Sequence, residues 1–281
     1  MRFTKPKGVQ VRNLAIPAGD RWIRLLVVSP EGVGPGSRVP GVLWLHGGGY
    51  ATGMPEMVYE SRAIDLVSEC GAVVVSPAYT LSPIGPYPKA LMQCHETLLW
   101  MRDHAAELGI RDDQLMVGGE SAGGGLCAAL CMYELDHQGV RIAFQMPLYP
   151  MLDCEDTPSS RDNHAKVWNT RRNHQAWVLY LRKLAKDEPV PAYASPARRE
   201  RYADLPPCCT FVGDLEPFYC ETLAYVDALR AAGVPANVDV YEDFYHARDM
   251  FEPDDPAVRA AAARFVERFR EACALYTAPQ A

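Results

Sequence analysis

Nowhere in this sequence do the roughly 20 consecutive apolar residues needed to cross a bilayer occur. The opening stretch, MRFTKPKGVQVRN, also lacks the apolar core of about 7–15 residues that marks a secretory leader. These absences argue against a membrane protein, and no membrane partner is expected. Basic charge is scarce: the formal net charge is -7 and the sequence pI is about 5.5. The densest basic cluster, Arg198, Arg199 and Arg201, is broken by Glu200 and forms no stripe able to displace phosphate counterions. No nucleic-acid partner is expected. There is no His-Glu-x-x-His and no clustered Cys/His spacing, so no metal is expected; Asp153, Glu155 and Asp156 read as a solvated loop. The glycine-rich stretch Gly118–Gly125 lacks the Lys-Ser/Thr of a phosphate loop and no GxGxxG is present, so no cofactor is expected either. The nine cysteines are odd in number, with Cys208 and Cys209 adjacent and Cys127 and Cys131 one helical turn apart. Such usage does not read as a disulfide framework, and a reducing cytoplasm is expected.

What is present is a globular composition, 48% hydrophobic and 22% charged. A single α/β unit spanning residues 1–281 is expected. Short apolar runs alternate with helical spacings. Trp22–Ser29, Gly41–Leu45, Ala72–Ser76, Gln114–Val117 and Ile142–Tyr149 read as strands, after an irregular first 21 residues. Helical spacing covers Met57–Cys70, the long amphipathic stretch Lys89–Glu107, and the small-residue stretch Gly123–Leu135. This alternation predicts an α/β fold with a mostly parallel sheet covered on both faces. Residues 150–206 break the rhythm and should carry two helices, with 155–190 forming a small lid over one end of the sheet. The rhythm resumes with strand Cys208–Val212, helix Glu221–Ala232, strand Asn237–Tyr241 and helix Asp255–Leu275.

The chemistry concentrates at strand ends. Gly119-Glu120-Ser121-Ala122-Gly123 follows one strand and opens a helix, the setting in which glycines let a serine stand exposed on a strained turn. The helix N-terminus behind it favours developing negative charge. His46-Gly47-Gly48-Gly49 ends an earlier strand, and glycines there leave N–H groups free for an oxyanion. Gly47, Gly48 and Ala122 are the expected donors, with His46 structural. His246 follows the last strand, whereas His95, His104, His137, His164 and His174 do not follow any, so His246 is the expected base. The carboxylate that orients it should follow the penultimate strand, where Asp214 and Glu216 both stand; spacing does not choose between them. Tyr50, Glu120 and Trp168 are candidate pocket residues, with Trp177 and Tyr180 near the lid.

Four blocks carry a resemblance: HGGGY at 46–50, GESAGG at 119–124, LEPFYCETLAYVDALRAAGVP at 215–235 and YHARDMF at 245–251. They resemble the hormone-sensitive-lipase-like branch of the α/β hydrolases, which includes bacterial acetyl and short-chain esterases. The resemblance implies an α/β-hydrolase fold and Glu216 as the triad acid, aligned through Tyr225 on the following helix. It also implies a serine carboxylesterase acting on small short-acyl esters from acetyl to butyryl through an acyl-enzyme. An arylformamidase-type amidase shares the His-Gly-Gly loop, and a gibberellin-receptor-like binding protein shares the scaffold; the intact Ser, His and carboxylate favour the enzyme. Family members pair through edge strands or terminal helices, so a homodimer is an open expectation. Where the family often reads Tyr-Arg-Leu-Ala-Pro-Glu, this chain has Tyr79-Thr80-Leu81-Ser82-Pro83-Ile84, without the structural ion pair.

Overall fold

The computed structural model describes residues 4–185 and 188–280. In chain order its elements are β1 (Val9–Ala18), β2 (Arg21–Pro30), β3 (Val39–Leu45), α1 (Arg62–Cys70), β4 (Val73–Pro77), α2 (Lys89–Asp103), α3 (Ala105–Leu108) and β5 (Ile110–Glu120). Then follow α4 (Ala122–Asp136), β6 (Phe144–Leu148), α5 (Thr170–Leu181), β7 (Cys208–Gly213), α6 (Tyr219–Ala231), β8 (Ala236–Tyr241), α7 (Arg248–Phe251) and α8 (Pro256–Leu275). The strands form one eight-stranded sheet in the order β1-β2-β4-β3-β5-β6-β7-β8. Pairings from β4 through β8 are parallel, and the β1–β2 and β2–β4 pairings are antiparallel.

Successive side chains of a strand point to opposite faces, and both faces here are apolar. Leu43, Leu45, Leu115 and Val117 join one core with Leu91, Leu98, Leu126 and Val226 of α2, α4 and α6. Their neighbours Val42, Trp44, Met116 and Met146 join a second core with Leu66 and Val67 of α1 and Phe265 and Phe269 of α8. That double burial is why the central strands read as continuous apolar runs. Register then sets the functional geometry. Leu45 lies opposite Gly119, and Glu120 lies opposite Leu148, so the loops after β3, β5 and β6 leave the sheet side by side.

Several details differ from the sequence reading, among them the stretch Met57–Cys70, which is a 3-10 turn at Pro55–Tyr59 followed by α1 from Arg62. Residues 9–18 are not irregular: as β1 they pair with β2 over the strand's whole length through a Gly19-Asp20 hairpin. It is an edge strand, and its largely exposed outer positions gave no clear apolar alternation. The stretch Lys89–Glu107 is interrupted at His104 and forms α2 and α3. Between β6 and β7 only one α-helix, α5, forms among the described residues, with a short 3-10 turn at Pro196–Arg198. Residues 186–187 of the expected lid lie outside the described residues.

Candidate active site

Ser121 sits between β5 and α4 at φ 58° and ψ -120°, a backbone conformation costly for a residue with a Cβ. Its neighbours make the turn feasible. A Cβ on Gly119 would lie 2.5 Å from the Leu45 carbonyl oxygen, and one on Gly123 would lie 1.9 Å from it. Only glycine lets β3 and the elbow approach this closely. The Ser121 N–H donates to the Leu148 carbonyl at 3.0 Å, and its own carbonyl accepts from Met151 and Gly125 at 2.9 and 3.0 Å. The strained turn is therefore bonded on both sides.

The Ser121 hydroxyl is 2.9 Å from His246 Nε2, and His246 Nδ1 is 2.8 Å from Glu216 Oε2. With Nδ1–H donating a hydrogen bond to the carboxylate, Nε2 is free to accept the hydroxyl proton. The other oxygen, Glu216 Oε1, accepts from the Gly213 N–H at 3.2 Å. Burial raises the Glu216 pKa, opposed by the adjacent His246 and the bond it donates. Ser121, His246 and Glu216 are 4%, 3% and 2% exposed, so the three bond to one another with little competition from water. Asp214 is exposed and serves the turn, its N–H donating to the Tyr241 carbonyl. Of the two carboxylates left open by spacing, the fold brings Glu216 to the histidine.

The glycine loop departs from expectation by one residue. The Gly47 N–H is not free: it donates to Glu120 Oε1 at 3.2 Å, beneath the loop. Among the described residues, the N–H groups of Gly48 and Gly49 meet no acceptor in the chain. Both glycines have positive φ, 115° and 59°, which turns the peptide planes outward. Ala122 is the first residue of α4, where an N–H has no intrahelical partner. His46 shapes the same loop, its Nδ1 lying 2.8 Å from the Gly47 carbonyl and its ring stacked on Tyr79 at 4.2 Å. Burial lowers its pKa to about 4, so it is neutral at ordinary pH.

Glu120 is likewise not a pocket residue. It is buried, and Trp44 Nε1 donates to its Oε2 at 2.5 Å. Burial pushes its carboxyl up to about 8 against the two donors that favour the anion. Tyr50 is also buried, stacked on Tyr180 at 3.9 Å and donating to the Met151 carbonyl at 3.3 Å. Its side chain supports the loop from behind and presents no open surface. Trp168 is half-buried and does face the site, its ring centroid 6.0 Å from that of His246. Among the described residues no group of three or more His, Cys, Asp or Glu side chains is arranged to hold a metal ion. Asp153 pairs with Arg198 instead.

Two groups near the histidine gave no sequence signal of their own. Tyr149 packs edge-on to His246 at 5.2 Å, and its hydroxyl donates to Asp249 Oδ1 at 3.0 Å. Asp249 is buried and pairs with Arg62 of α1, Nε to Oδ2 3.4 Å. Tyr149 follows β6 and Asp249 lies one turn after His246, so only the folded chain joins them.

This sheet order, with a serine elbow after β5, a carboxylate after β7 and a histidine after β8, defines an α/β hydrolase. The model of the α/β-hydrolase fold family matches residues 42–250, and the chain belongs to that family. It is 30% identical over 260 residues to esterase LipI of Mycobacterium tuberculosis, covering 91% of this chain and 80% of that protein. It is 29% identical over 197 residues to an arylesterase of Saccharolobus solfataricus, covering 69% and 63%. Among solved structures, a bacterial heroin esterase superposes with a TM-score of 0.89 at 30% identity, covering 95% of this chain and 85% of that one. Esterase LipW of Mycobacterium marinum superposes with a TM-score of 0.86 at 27% identity, covering 94% and 82%.

Proposed function

We propose that this chain is a carboxylic ester hydrolase working through Ser121, His246 and Glu216 with an acyl-enzyme intermediate. The observation that carries the reading is the continuous chain from the Ser121 hydroxyl through both His246 nitrogens to Glu216, at 2.9 and 2.8 Å. The Ser121 oxygen attacks the ester carbonyl while His246 Nε2 takes its proton. The Gly48, Gly49 and Ala122 N–H groups receive the oxyanion, where donors aimed at developing charge contribute most. The tetrahedral adduct then collapses, the alcohol leaves with the proton from His246, and water hydrolyses the acyl-enzyme by the same route. No metal or cofactor takes part in this scheme. Glu216 keeps the imidazole in the required tautomer and stabilises the imidazolium; Asp214 has no part in it.

The substrate in this reading is a small ester with an acetyl to butyryl group. The resemblance to short-chain esterases supports that size, as does the Trp168 ring standing 6.0 Å from that of His246. A cytoplasmic setting belongs to the same reading, supported by nine cysteines that are all free thiols.

The test is hydrolysis of p-nitrophenyl acetate, butyrate and decanoate. Activity should fall with chain length and vanish in Ser121→Ala. Glu216→Gln should lose about 10²–10⁴-fold in kcat. Asp214→Asn should stay within a few-fold of wild type. Equal losses in the two acid variants would remove Glu216 from the proposed role.

A further inference from the structure

The space against Gly49 is filled by one side chain, Trp168. Trp168 stands near the end of a loop whose neck is tied twice: Asn163 N–H donates to Thr170 Oγ1 at 2.7 Å, and Thr170 N–H returns to the Asn163 carbonyl at 3.1 Å. The Thr170 hydroxyl donates onward to the Ser160 carbonyl at 2.6 Å. The same loop is bonded to the turn that carries Glu216. Asn163 Nδ2 donates to the Leu215 carbonyl at 3.1 Å and Ser159 Oγ to the Pro217 carbonyl at 2.7 Å. Just before the tryptophan, Trp168 N–H donates to the Lys166 carbonyl at 2.6 Å around Val167, whose φ is 63°. A β-branched residue rarely adopts that conformation, and a γ-turn of this hand is strained, so the surroundings must hold it.

Held in this way, the indole lies against the third glycine: a Cβ on Gly49 would fall 2.3 Å from Trp168 Cη2. The ring is 6.0 Å from His246 and 6.4 Å from Phe218, and it completes an aromatic enclosure with Tyr149 around the histidine. Ser121 beneath is only 4% exposed. A group attached to the reacting carbonyl on the Gly49 side therefore meets a wall tied to the catalytic turn itself.

We propose that Trp168 is a specificity-determining residue that limits the chain to esters small on the side facing Gly49. The proposal rests on the ester-hydrolase reading, and its test separates the two. Rates on p-nitrophenyl acetate, butyrate and octanoate are compared for wild type, Trp168→Phe and Trp168→Ala. A parallel series varies the alcohol of acetate esters from ethyl to octyl. In at least one series the long-to-short ratio of kcat/KM should rise tenfold or more in Trp168→Ala and less in Trp168→Phe, since a few methylenes in a pocket are worth that much discrimination. Trp22→Ala, at an exposed tryptophan of β2, should leave both ratios within about twofold.

A readout without turnover uses ethyl and octyl alkylfluorophosphonates. The Ser121 oxygen bonds to phosphorus, fluoride leaves, and the serine proton is released to solvent through His246. The octyl-to-ethyl labelling ratio should rise in Trp168→Ala. Unchanged ratios in both assays, in variants that melt cooperatively and still label at Ser121, overturn the wall and leave the hydrolase reading standing. A raised labelling ratio in a chain that hydrolyses no ester keeps the wall and overturns the hydrolase reading. Failure of Ser121 to react in every variant overturns both. If Trp168→Ala does not fold, Trp168→Phe and Trp168→Leu carry the comparison.

Discussion

Gly123 and Asp249 make opposite kinds of contribution at the scale of single residues. Gly123 acts through what it lacks. Its place against the Leu45 carbonyl is closed to any Cβ, and that carbonyl belongs to a central strand that cannot retreat. Gly123→Ala should destabilise by about 1–3 kcal/mol through overpacking and move Ser121 away from His246, lowering kcat at least tenfold. Chemical denaturation with parallel ester assays checks both parts; a stable, fully active variant would contradict the close approach. Asp249 acts through charge. It pairs with the buried Arg62 and accepts the Tyr149 hydroxyl that packs beside His246. Asp249→Asn keeps the shape but leaves Arg62 with Asp65 alone, and should cost about 3 kcal/mol, the usual penalty for stranding one member of a buried pair. Unchanged denaturation midpoints would show that Asp65 suffices.

Among the elements, the start of α8 was legible and strand β1 was not. Asp255 stands before Pro256 and caps α8, accepting from the Ala257 and Val258 N–H groups at 2.8 and 3.3 Å. It also pairs with Arg248 at 3.0 Å. Asp255→Ala should lower stability by about 1 kcal/mol and Asp255→Asn by less, because asparagine keeps the cap and loses only the half-buried ion pair. Thermal melts of the two variants separate cap from charge. The capping pattern is local chemistry and shows in the residues. Strand β1 has no such mark, since its pairing with β2 comes from a hairpin and not from an apolar pattern. The break at His104 was missed because the apolar positions of α2 continue in phase into α3 at Ala105 and Leu108.

On the scale of the whole molecule, the buried carboxyl of Glu120 links pH to stability. Its pKa is raised from 4.5 to about 8, with burial as the leading cause. Below about 4.5 the group is protonated whether folded or not. Between about 4.5 and 8 the folded chain keeps a proton that the unfolded chain has released, so stability falls as pH rises through that window. Glu120→Gln removes this dependence. Melting temperatures measured across the window should decline more steeply for wild type than for the variant. Parallel curves would mean that the Trp44 and Gly47 donors hold Glu120 ionised.

The residues themselves determined the alternation of strand and helix, the serine elbow, the glycine loop and the histidine after the last strand. Each is written in contiguous residues whose conformational demands are local: apolar runs for buried strands, glycines where no Cβ fits, small residues at a crowded helix. Tertiary structure decided what depends on distance between remote segments. It brought Glu216 and not Asp214 to His246, because the turn after β7 sends one side chain inward and the other to solvent. It moved the free N–H groups from Gly47 to Gly49, because Glu120, on a neighbouring strand, engages the first. It also set Trp168 against Gly49, a contact between residues more than a hundred positions apart that no local pattern encodes.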